Sequence, residues 1–554
     1  MRETIVLRFI WPLCGLGVMV VCSGLVYGQT PTPSPPDPMP VAPIFNTPPR
    51  PMPSSERVGV NTDSQLSLTI EQAIEMALKN NNDIDASRDD ARFSDFGLKG
   101  ARGIYDPLLN SESYFESRTT PTASTIGGAV NGSVTQRQFF NNVGLSGFVP
   151  RFGGSYDAIF TSSRTNTTNR NSTLNPQYPT SLVFTYTQPL WRGLKYDNNR
   201  RQIDIAKKNI DLTDAQLRQK AMDVITSVEE SYWDLVFALR NLQVQTDTLK
   251  QAKDQLESNK RQVEKGVLAP IEIVAANAQI STFEQAVYLA QESVTRAENT
   301  LKTLLLPDRT AAEWSRPLMP VTPIDLPVPQ IGLEVSMTEA MKNRPEIEQL
   351  ATSSDINQIN QKYYREQLKP QVDLVSSYTS AGLAGTRNPL SSGAATVPPN
   401  LVGGYFTSLG NLLRQDFPTY HFGVQVSLPL RNSVAKANLG QALVTADKIA
   451  NQRAQTEQTI EAQVRNALQA LRSAESRLTS ATAARTAAEE LYASEQRQFR
   501  GGTTTFYLVL QRQTELTAAR GREIQARTDL NKAISDFQRA IGTTLSVNNV
   551  IVTK

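Results

Sequence analysis

The chain has little of what active-site chemistry usually requires. Its 554 residues include two cysteines and one histidine. Cys14 and Cys22 both lie in the apolar start, so the rest of the chain has no disulfide framework. His421 alone cannot build a histidine-based metal cluster, and the sequence contains no G-x-x-x-x-G-K-[ST] nucleotide loop. We therefore predict no cofactor, no enzyme activity, and ATP hydrolysis only by a partner.

An excess of one charge is also missing. The 56 lysines and arginines nearly balance 53 aspartates and glutamates, which leaves a formal net charge of +3. This balance argues against a nucleic-acid partner, because nucleic-acid-binding domains carry clustered positive charge. Two pairs of neighbouring acids, Glu229–Glu230 and Glu489–Glu490, occur in predicted helices and are interpreted as solvated helix faces.

Long apolar runs are absent after residue 28, so no transmembrane helix is predicted there. The start is different, because Arg2 and Arg8 accompany the run "FIWPLCGLGVMVVCSGLVYG". This pattern predicts a signal peptide over residues 1–28, with a membrane anchor as the alternative and lipidation of the N-terminus left open. Residues 29–66 hold eleven prolines and are predicted to form an extended, disordered leader.

The remaining sequence has the pattern of an internal repeat. Four pairs of segments match in order, at spacings of 263, 263, 240 and 236 residues. The pairs are "ALKNNNDI" with "AMKNRPEI", "YDPLLNSESYF" with "LKPQVDLVSSY", "TYTQPLWRG" with "QVSLPLRNS", and "EKGVLAPIEIV" with "RGGTTTFYLVL". They predict a first repeat, a linker, a second repeat and a tail, at residues 67–306, 307–331, 332–542 and 543–554.

A seven-residue apolar period predicts coiled-coil helices in both halves. Every seventh residue from Ala221 to Val263 is apolar, and the period resumes from Ile273 to Leu301. In the second half the residues at this spacing are small. Small residues allow helices to pack closely side by side in a sheet or tube. The small residues at this spacing are Ala467, Ala474, Ala481 and Ala488.

The spacing of the prolines and glycines that bound the helices predicts the helix lengths. A long helix fits between Pro189 and Gly266, and another fits between Pro429 and Gly502. Each would be roughly 105 Å long at 1.5 Å per residue. Shorter helices are predicted at about 70–100, 273–306, 337–368 and 508–541, so that each long helix lies antiparallel to two short ones. Gly266, Pro270, Gly501 and Gly502 then mark the two hairpin tips.

Alternating apolar and polar residues predict strands at the other end of the helices. In "FGVQVSLPL" the residues Phe422, Val424 and Val426 share one face, and "LVFTYTQPL" alternates in the same way. Such short amphipathic strands match a membrane-spanning barrel, with a soluble sandwich as the alternative. The insertion "NVGLSGFVPRFGGSYDAIFTSS" predicts a hairpin that turns at "RFGG". Whether this hairpin joins the barrel or folds beside it stays open.

This order of elements resembles the outer membrane efflux proteins, the TolC family. The opener "LTIEQAIEMALKNN", the junctions "QPLWRG" and "LPLRNS", and the glycine-centred tips carry the resemblance over residues 67–542. It implies an α+β membrane protein, a homotrimer that combines an outer-membrane β-barrel with a periplasmic α-barrel of coiled-coil helices. It also implies an export channel whose tips face a periplasmic adaptor and an inner-membrane pump of RND or ABC type.

The resemblance also implies a pore constriction at the tips. Glu272 stands where the family has an acid, and Phe499 stands where it has a tyrosine. Leu508 and Gln511 replace the acids of the usual ring, and Thr504 replaces an arginine that Arg500 could substitute. A constriction at Leu508 would be apolar and gate by dewetting. The other interpretation of Leu508 is a packed seam residue.

Two other functions remain open at this point. A secreted coiled-coil scaffold without a pore would explain the heptads and the repeat, but not the strands between matching helices. An export channel for proteins, as in type I secretion, would share the fold of an efflux channel. The sequence therefore leaves the exported substrate open, whether drugs, metals or proteins.

Overall fold

The computed structural model describes residues 51–54, 56–61, 64–123, 125–129, 131–391 and 396–553. The predicted signal peptide and residues 29–50 of the predicted leader lie outside the described residues. The helices are α1 (Ile70–Asn80), α2 (Asn82–Arg102), α3 (Asn198–Glu264), α4 (Ile271–Leu305), α5 (Leu333–Asn343), α6 (Pro345–Gln367), α7 (Tyr405–Leu413), α8 (Ser433–Arg500), α9 (Phe506–Ala540) and α10 (Thr544–Val547). The strands are β1 (Leu66–Leu68), β2 (Leu108–Pro121), β3 (Ser133–Phe148), β4 (Ser155–Thr167), β5 (Leu174–Pro189), β6 (Leu318–Pro320), β7 (Gln371–Arg387) and β8 (Phe417–Ser427).

The two long predicted helices are present as α3 and α8, with 67 and 68 residues. Their return helices α4 and α9 have 35 residues each. The predicted single helices at 70–100 and 337–368 are wrong in one respect, because each is two helices. Asn81 interrupts the first, since its side chain accepts hydrogen bonds from the backbone of Asp83 and Ile84 and caps α2. Pro345 interrupts the second, since the residue before a proline is pushed into an extended conformation.

Heptad positions bury the seam between the helices. In α3, Leu235 and Leu249 are fully buried, and in α4 the same holds for Val294 and Leu301. The helix α3 packs against α2, α4, α6 and α9, and the helix α8 packs against α5, α6 and α9. Among the described residues, no helix combines the length and apolar character needed to cross a membrane.

One antiparallel sheet of six strands stands at the end of the helices opposite the tips. Its order is β2-β3-β4-β5-β7-β8, and every neighbouring pair is antiparallel. The predicted hairpin at "RFGG" is the β3–β4 pair, with Phe152 and Gly153 at φ +67° and +68° in its turn. This hairpin joins the six-stranded sheet, between β2 and β5.

The register of the six strands gives the sheet one apolar face. Tyr378 is paired with both Phe184 and Tyr420, so these three side chains lie on the same face. The other face is more polar, although it includes Tyr114 and Phe140. Residues that share the apolar face are Leu109, Phe115, Phe139, Val143, Leu145, Tyr156, Phe160, Leu182, Phe184, Tyr186, Leu374, Tyr378, Tyr420, Phe422, Val424 and Val426.

The described part of the proline-rich segment contacts the helices, which differs from the disordered leader predicted over residues 29–66. The Arg57 guanidinium lies 2.5 Å from the carboxylate of Glu298, which is 1% exposed and also pairs with Lys302. Nearer the tip, the Lys253 ammonium donates to the carbonyl of Pro51. Prolines predict an extended chain, and these ion pairs and hydrogen bonds fix that extended chain against α3 and α4.

Candidate functional site at the hairpin tips

The first tip joins α3 to α4 through a glycine in the left-handed conformation. Gly266 has φ +74°, and its backbone N–H donates to the carbonyl of Val263 at 2.9 Å. The next N–H, from Val267, donates to the carbonyl of Gln262 at 2.9 Å. This pair of bonds is the Schellman motif, which ends a helix and satisfies its last carbonyls. Pro270 follows immediately before α4 and supplies a φ that suits a helix start.

The second tip uses the same motif between α8 and α9. Gly502 has φ +73° and donates to the carbonyl of Phe499 at 3.0 Å, while Thr503 donates to that of Gln498 at 3.1 Å. Gly501 keeps a right-handed conformation, with φ −79°. Only Gly502 of this glycine pair therefore requires the conformational freedom of glycine. The two tips are alike in backbone and differ in side chains.

An apolar cluster holds the two tips together. The ring of Phe506, 1% exposed, lies 5.7 Å from the ring of Phe499. Phe506 and Val509 pack into a cluster with residues of α3 and α4, including Leu256 and Ile280. Phe499 thus contacts the core between the hairpins.

The other predicted constriction residues lie near the surface of the chain. Leu508 is 37% exposed although its neighbour Val509 is 2% exposed, so Leu508 lies outside the seam of its own chain. Arg500 is exposed and Glu272 is half-buried, and no salt bridge joins them within the described part of this chain. Gln511 is exposed, and its amide donates to the Glu515 carboxylate at 3.0 Å.

Sequence reasoning missed an ion network between the second tip and the middle of the helices. Glu489 pairs with Arg485 and with Arg520, both at 2.7 Å, and Arg485 also pairs with Glu523. The hydrogen bond from Arg520 holds the pKa of Glu489 below its usual value. Glu489 keeps 44% of its side chain exposed, so the face is partly solvated as predicted, and its ion pairs add to that interpretation. Four-residue spacing of Arg485 and Glu489 was the available signal.

The other acid pair departs further from a solvated face. Glu229 is 4% exposed and accepts a hydrogen bond from Asn548, and burial raises its pKa. Glu230 is half-buried, and its pKa is raised to about 7 by burial and then by a hydrogen bond and repulsion from Asp536. Within the described residues, no group of three or more histidine, cysteine or acidic side chains forms a metal site.

Known structures share this architecture. The outer-membrane channel OprN is 17% identical, with a TM-score of 0.60 over 91% of this chain and 99% of its own. The CmeC outer membrane channel of Campylobacter jejuni is 14% identical, with a TM-score of 0.61 over 91% and 94%. The open MtrE outer membrane channel of Neisseria gonorrhoeae is 16% identical, with a TM-score of 0.57 over 90% and 98%.

Sequence comparison agrees with the structural likeness. No curated protein sequence matches the chain. The model of the family described as outer membrane efflux protein matches residues 136–305 and 337–543, which is more than half of the chain. The resemblance seen in the sequence is thereby confirmed, and the chain belongs to the outer membrane efflux protein family.

Proposed function

We propose that three copies of this chain form the outer-membrane channel of a tripartite efflux or secretion system. The observation that carries the proposal is the single apolar face that runs across all six strands. Aromatic side chains on this face are widely exposed, Phe422 at 73% and Tyr420 at 64%. An exposed apolar face of this size is expected where a sheet contacts lipid.

The edges of the sheet support closure into a barrel. The two edge strands, β2 and β8, are exposed along almost their whole length. They also run in opposite directions, because five antiparallel pairings separate them. A β2 edge can therefore pair antiparallel with the β8 edge of the next copy, which leaves no free edge in the membrane.

Three copies of six strands would make an 18-stranded barrel. Barrels of about that size enclose an aqueous channel.

The helices would continue this barrel as a tunnel through the periplasm. Both halves contribute a long helix and a return helix of matching length, which supports the interpretation of the chain as two repeats. The hairpin tips lie about 100 Å from the sheet, as 67 residues at 1.5 Å each imply. At that distance the tips would meet a periplasmic adaptor and an inner-membrane pump, which would supply the energy for export.

A labelling experiment tests the topology. Exposed positions are available at both ends, Arg170 in the β4–β5 loop and Ala269 in the first tip. Arg170→Cys should react with an impermeant thiol reagent on intact cells, and Ala269→Cys should react only after the outer membrane is permeabilised. The unmodified chain serves as the blank. Equal labelling of the two variants on intact cells would overturn the topology.

Planar bilayers test the pore itself. The purified protein should form heat-sensitive trimers in detergent and stepwise conductance in bilayers. A soluble elongated particle without conductance would favour the scaffold that the sequence left open. Co-purification of the adaptor or pump would then identify which partners, and so which class of exported substrate, this channel serves.

A further inference from the structure

A short helix on the sheet, α7, has its polar side turned inward. Its sequence is "YFTSLGNLL", and it packs on β5 and β7. The hydroxyls of Ser408 and Thr180 lie 2.9 Å apart, and the Ser380 hydroxyl donates to the carbonyl of Leu412 at 2.6 Å. Helix α7 is thus fixed to the sheet mainly by polar contacts, and Leu412, 3% exposed, is an apolar side chain that also packs inward.

Close approach of the backbones strengthens this attachment. A Cβ atom at Gly382 of β7 would lie 2.2 Å from the carbonyl oxygen of Ser408, so only glycine leaves room for the helix there. The Asn411 amide donates to the carbonyls of Leu383 and Asn400, at 2.9 Å each. Both inward-facing polar residues, Ser408 and Asn411, are buried.

The outward side of α7 is apolar. Phe406 is 83% exposed and Leu413 is 72% exposed, and these two residues lie seven apart, on one side of the helix. Tyr405 and Leu409 are half-buried beside them. A surface helix of a soluble domain shows the opposite arrangement, with apolar residues inward and polar residues outward. The inverted arrangement favours an apolar medium on the outward side of α7.

The strand register places α7 on the apolar face of the sheet. Thr180 pairs with Gly382, and Phe184 pairs with Tyr378, so all four residues face the same side. The helix contacts β7 near residues 380–383, toward the strand end at Arg387 and away from the helical body. It therefore continues the apolar face of the sheet at the edge where the extracellular loops are expected.

We propose that α7 is an interfacial helix that inserts Phe406 and Leu413 among the acyl chains of the outer leaflet. This inference rests on the proposed function, because it requires the sheet to be a barrel wall in the outer membrane. Continuity with the apolar face favours lipid as the occupant. Two exposed side chains fall far short of the area of about 800 Å² per partner that a stable protein interface buries. Lipid needs no such specific area, since amphipathic helices bind by burying apolar side chains at the headgroup boundary.

Fluorescent probes at the two outward positions test this placement. Phe406→Cys and Leu413→Cys are labelled with a polarity-sensitive fluorophore, and the full-length protein is reconstituted into phosphatidylcholine vesicles. Some vesicles contain lipid with a nitroxide near the glycerol, and others contain lipid with a nitroxide at the chain end. Arg170→Cys, in an exposed loop, is the matched control. Aqueous iodide is the quencher for probes in water.

The expected result is blue-shifted emission at both α7 positions. Quenching by the shallow nitroxide should be roughly twofold stronger than by the deep one, as for a helix at the headgroup boundary. The Arg170→Cys probe should be quenched by iodide alone. Iodide quenching at Phe406→Cys equal to that at Arg170→Cys would overturn the proposal, because α7 would then lie in water.

Protection from both quenchers would also overturn the proposal, because protein would then cover α7. Conductance of the same vesicles separates this failure from failure of the proposed function. If conductance is present while the lipid quenching is absent, the channel stands and the placement of α7 fails. If both are absent, both inferences fail.

Discussion

The helices α3 and α8 are nearly equal in length and share one buried seam. Residues of the two helices can be compared at a spacing of 236, the spacing of Gly266 and Gly502 in the tips. At this spacing, apolar and small residues in α3 match apolar and small residues in α8, and all are buried. The pairs are Val224 with Ile460, Val228 with Val464, Tyr232 with Leu468, Leu235 with Leu471, and Ala238 with Ala474.

A second face of each helix is entirely different. In α3 it is buried, and in α8 the matching side chains are polar and reach the solvent. The α3 face is covered by α9 and by the end of the chain, where Leu545, Val550 and Val552 pack against the same core. The pairs are Ile225 with Glu461, Glu229 with Arg465, Trp233 with Gln469, and Val236 with Arg472.

This difference shows that an internal repeat preserves the seam and not the surroundings. The helix α3 lies inside the chain, between other helices of the same chain. The helix α8 packs on one side only, and its remaining faces stay uncovered in a single copy. In the proposed trimer, the uncovered side of α8 is the surface available to the neighbouring copy.

Substitutions in the second face of α3 should lower the free energy of unfolding more than any others proposed here. Trp233→Ala removes a fully buried ring and should lower the free energy of unfolding by about 3–5 kcal/mol, as such truncations do. The matching change in α8, Gln469→Ala, touches an exposed residue and should stay within about 0.5 kcal/mol. Thermal unfolding in detergent, followed by circular dichroism, measures both. Equal effects would mean that the two helices have equivalent surroundings.

Enlarging a small residue of the shared seam should destabilise the protein equally in α3 and in α8. Ala474→Leu and Ala238→Leu each add volume where a small residue is buried, and each should cost about 1–3 kcal/mol. Ala481→Leu lies one heptad further along α8 at a half-buried position and should cost less. The melting temperature is again the measurement. If Ala474→Leu leaves it unchanged, the seam of α8 is looser than that of α3.

The seam was predictable because a heptad pattern depends only on local spacing. Leu235, Leu249 and Leu301 occupy apolar positions in a regular period, and helices of this length must bury such a stripe. The strands were predictable for the same reason, from alternation with a period of two. The break at Asn81 was missed, although asparagine is a typical residue at the start of a helix and does cap α2.

The second face of α3 and the site at the tips were not predictable in the same way. Burial of Glu229 depends on Asn548, which is 319 residues away in sequence, so no local pattern reveals it. The position of Leu508 outside the seam depends on how Phe506 and Val509 enter the core of the other hairpin. Contacts between distant segments decide both cases, and periodicity contains no information about them.

Between pH 5 and pH 8, stability should depend on pH through α3 and not through α8. The folded pKa of Glu230 is about 7, against an ordinary value of 4.5, and Lys532 and Arg539 oppose this rise only partly. Lys532 also pairs with Asp234, and Arg539 pairs with Asp223. A raised pKa means that folding takes up a proton. The stabilisation is therefore complete below about pH 4.5 and is lost as pH rises through about 7.

The melting temperature should accordingly fall between pH 5 and pH 8. Glu230→Gln should flatten this dependence, by less than about 1 kcal/mol because water screens a half-exposed carboxyl. Glu475→Gln, at an exposed position of α8, should leave the dependence unchanged. A Glu230→Gln profile as steep as that of the unmodified protein would show that Glu229 or another group carries the effect.

The two tips form the last contrast, since one backbone motif carries different side chains. The first tip has Glu272, which is half-buried, and the second has Arg500, which is exposed. We propose that Glu272 and Arg500 of neighbouring tips hold the closed state together. The alternative is a dewetted ring of Leu508, which is 37% exposed in a single copy. An exposed ion pair contributes only about 0–1 kcal/mol, although three pairs in a trimer act together.

Substitution of one tip residue at a time separates these two gates. Arg500→Ser should raise the resting conductance in planar bilayers, and high salt should partly reproduce the effect, because salt screens an exposed ion pair. Arg497→Ser, an exposed arginine one turn earlier, is the matched control and should change little. Leu508→Ser should open the channel only if the apolar ring forms the gate. An unchanged Arg500→Ser channel beside an open Leu508→Ser channel would refute the ion-pair gate and leave dewetting as the mechanism that closes the tips.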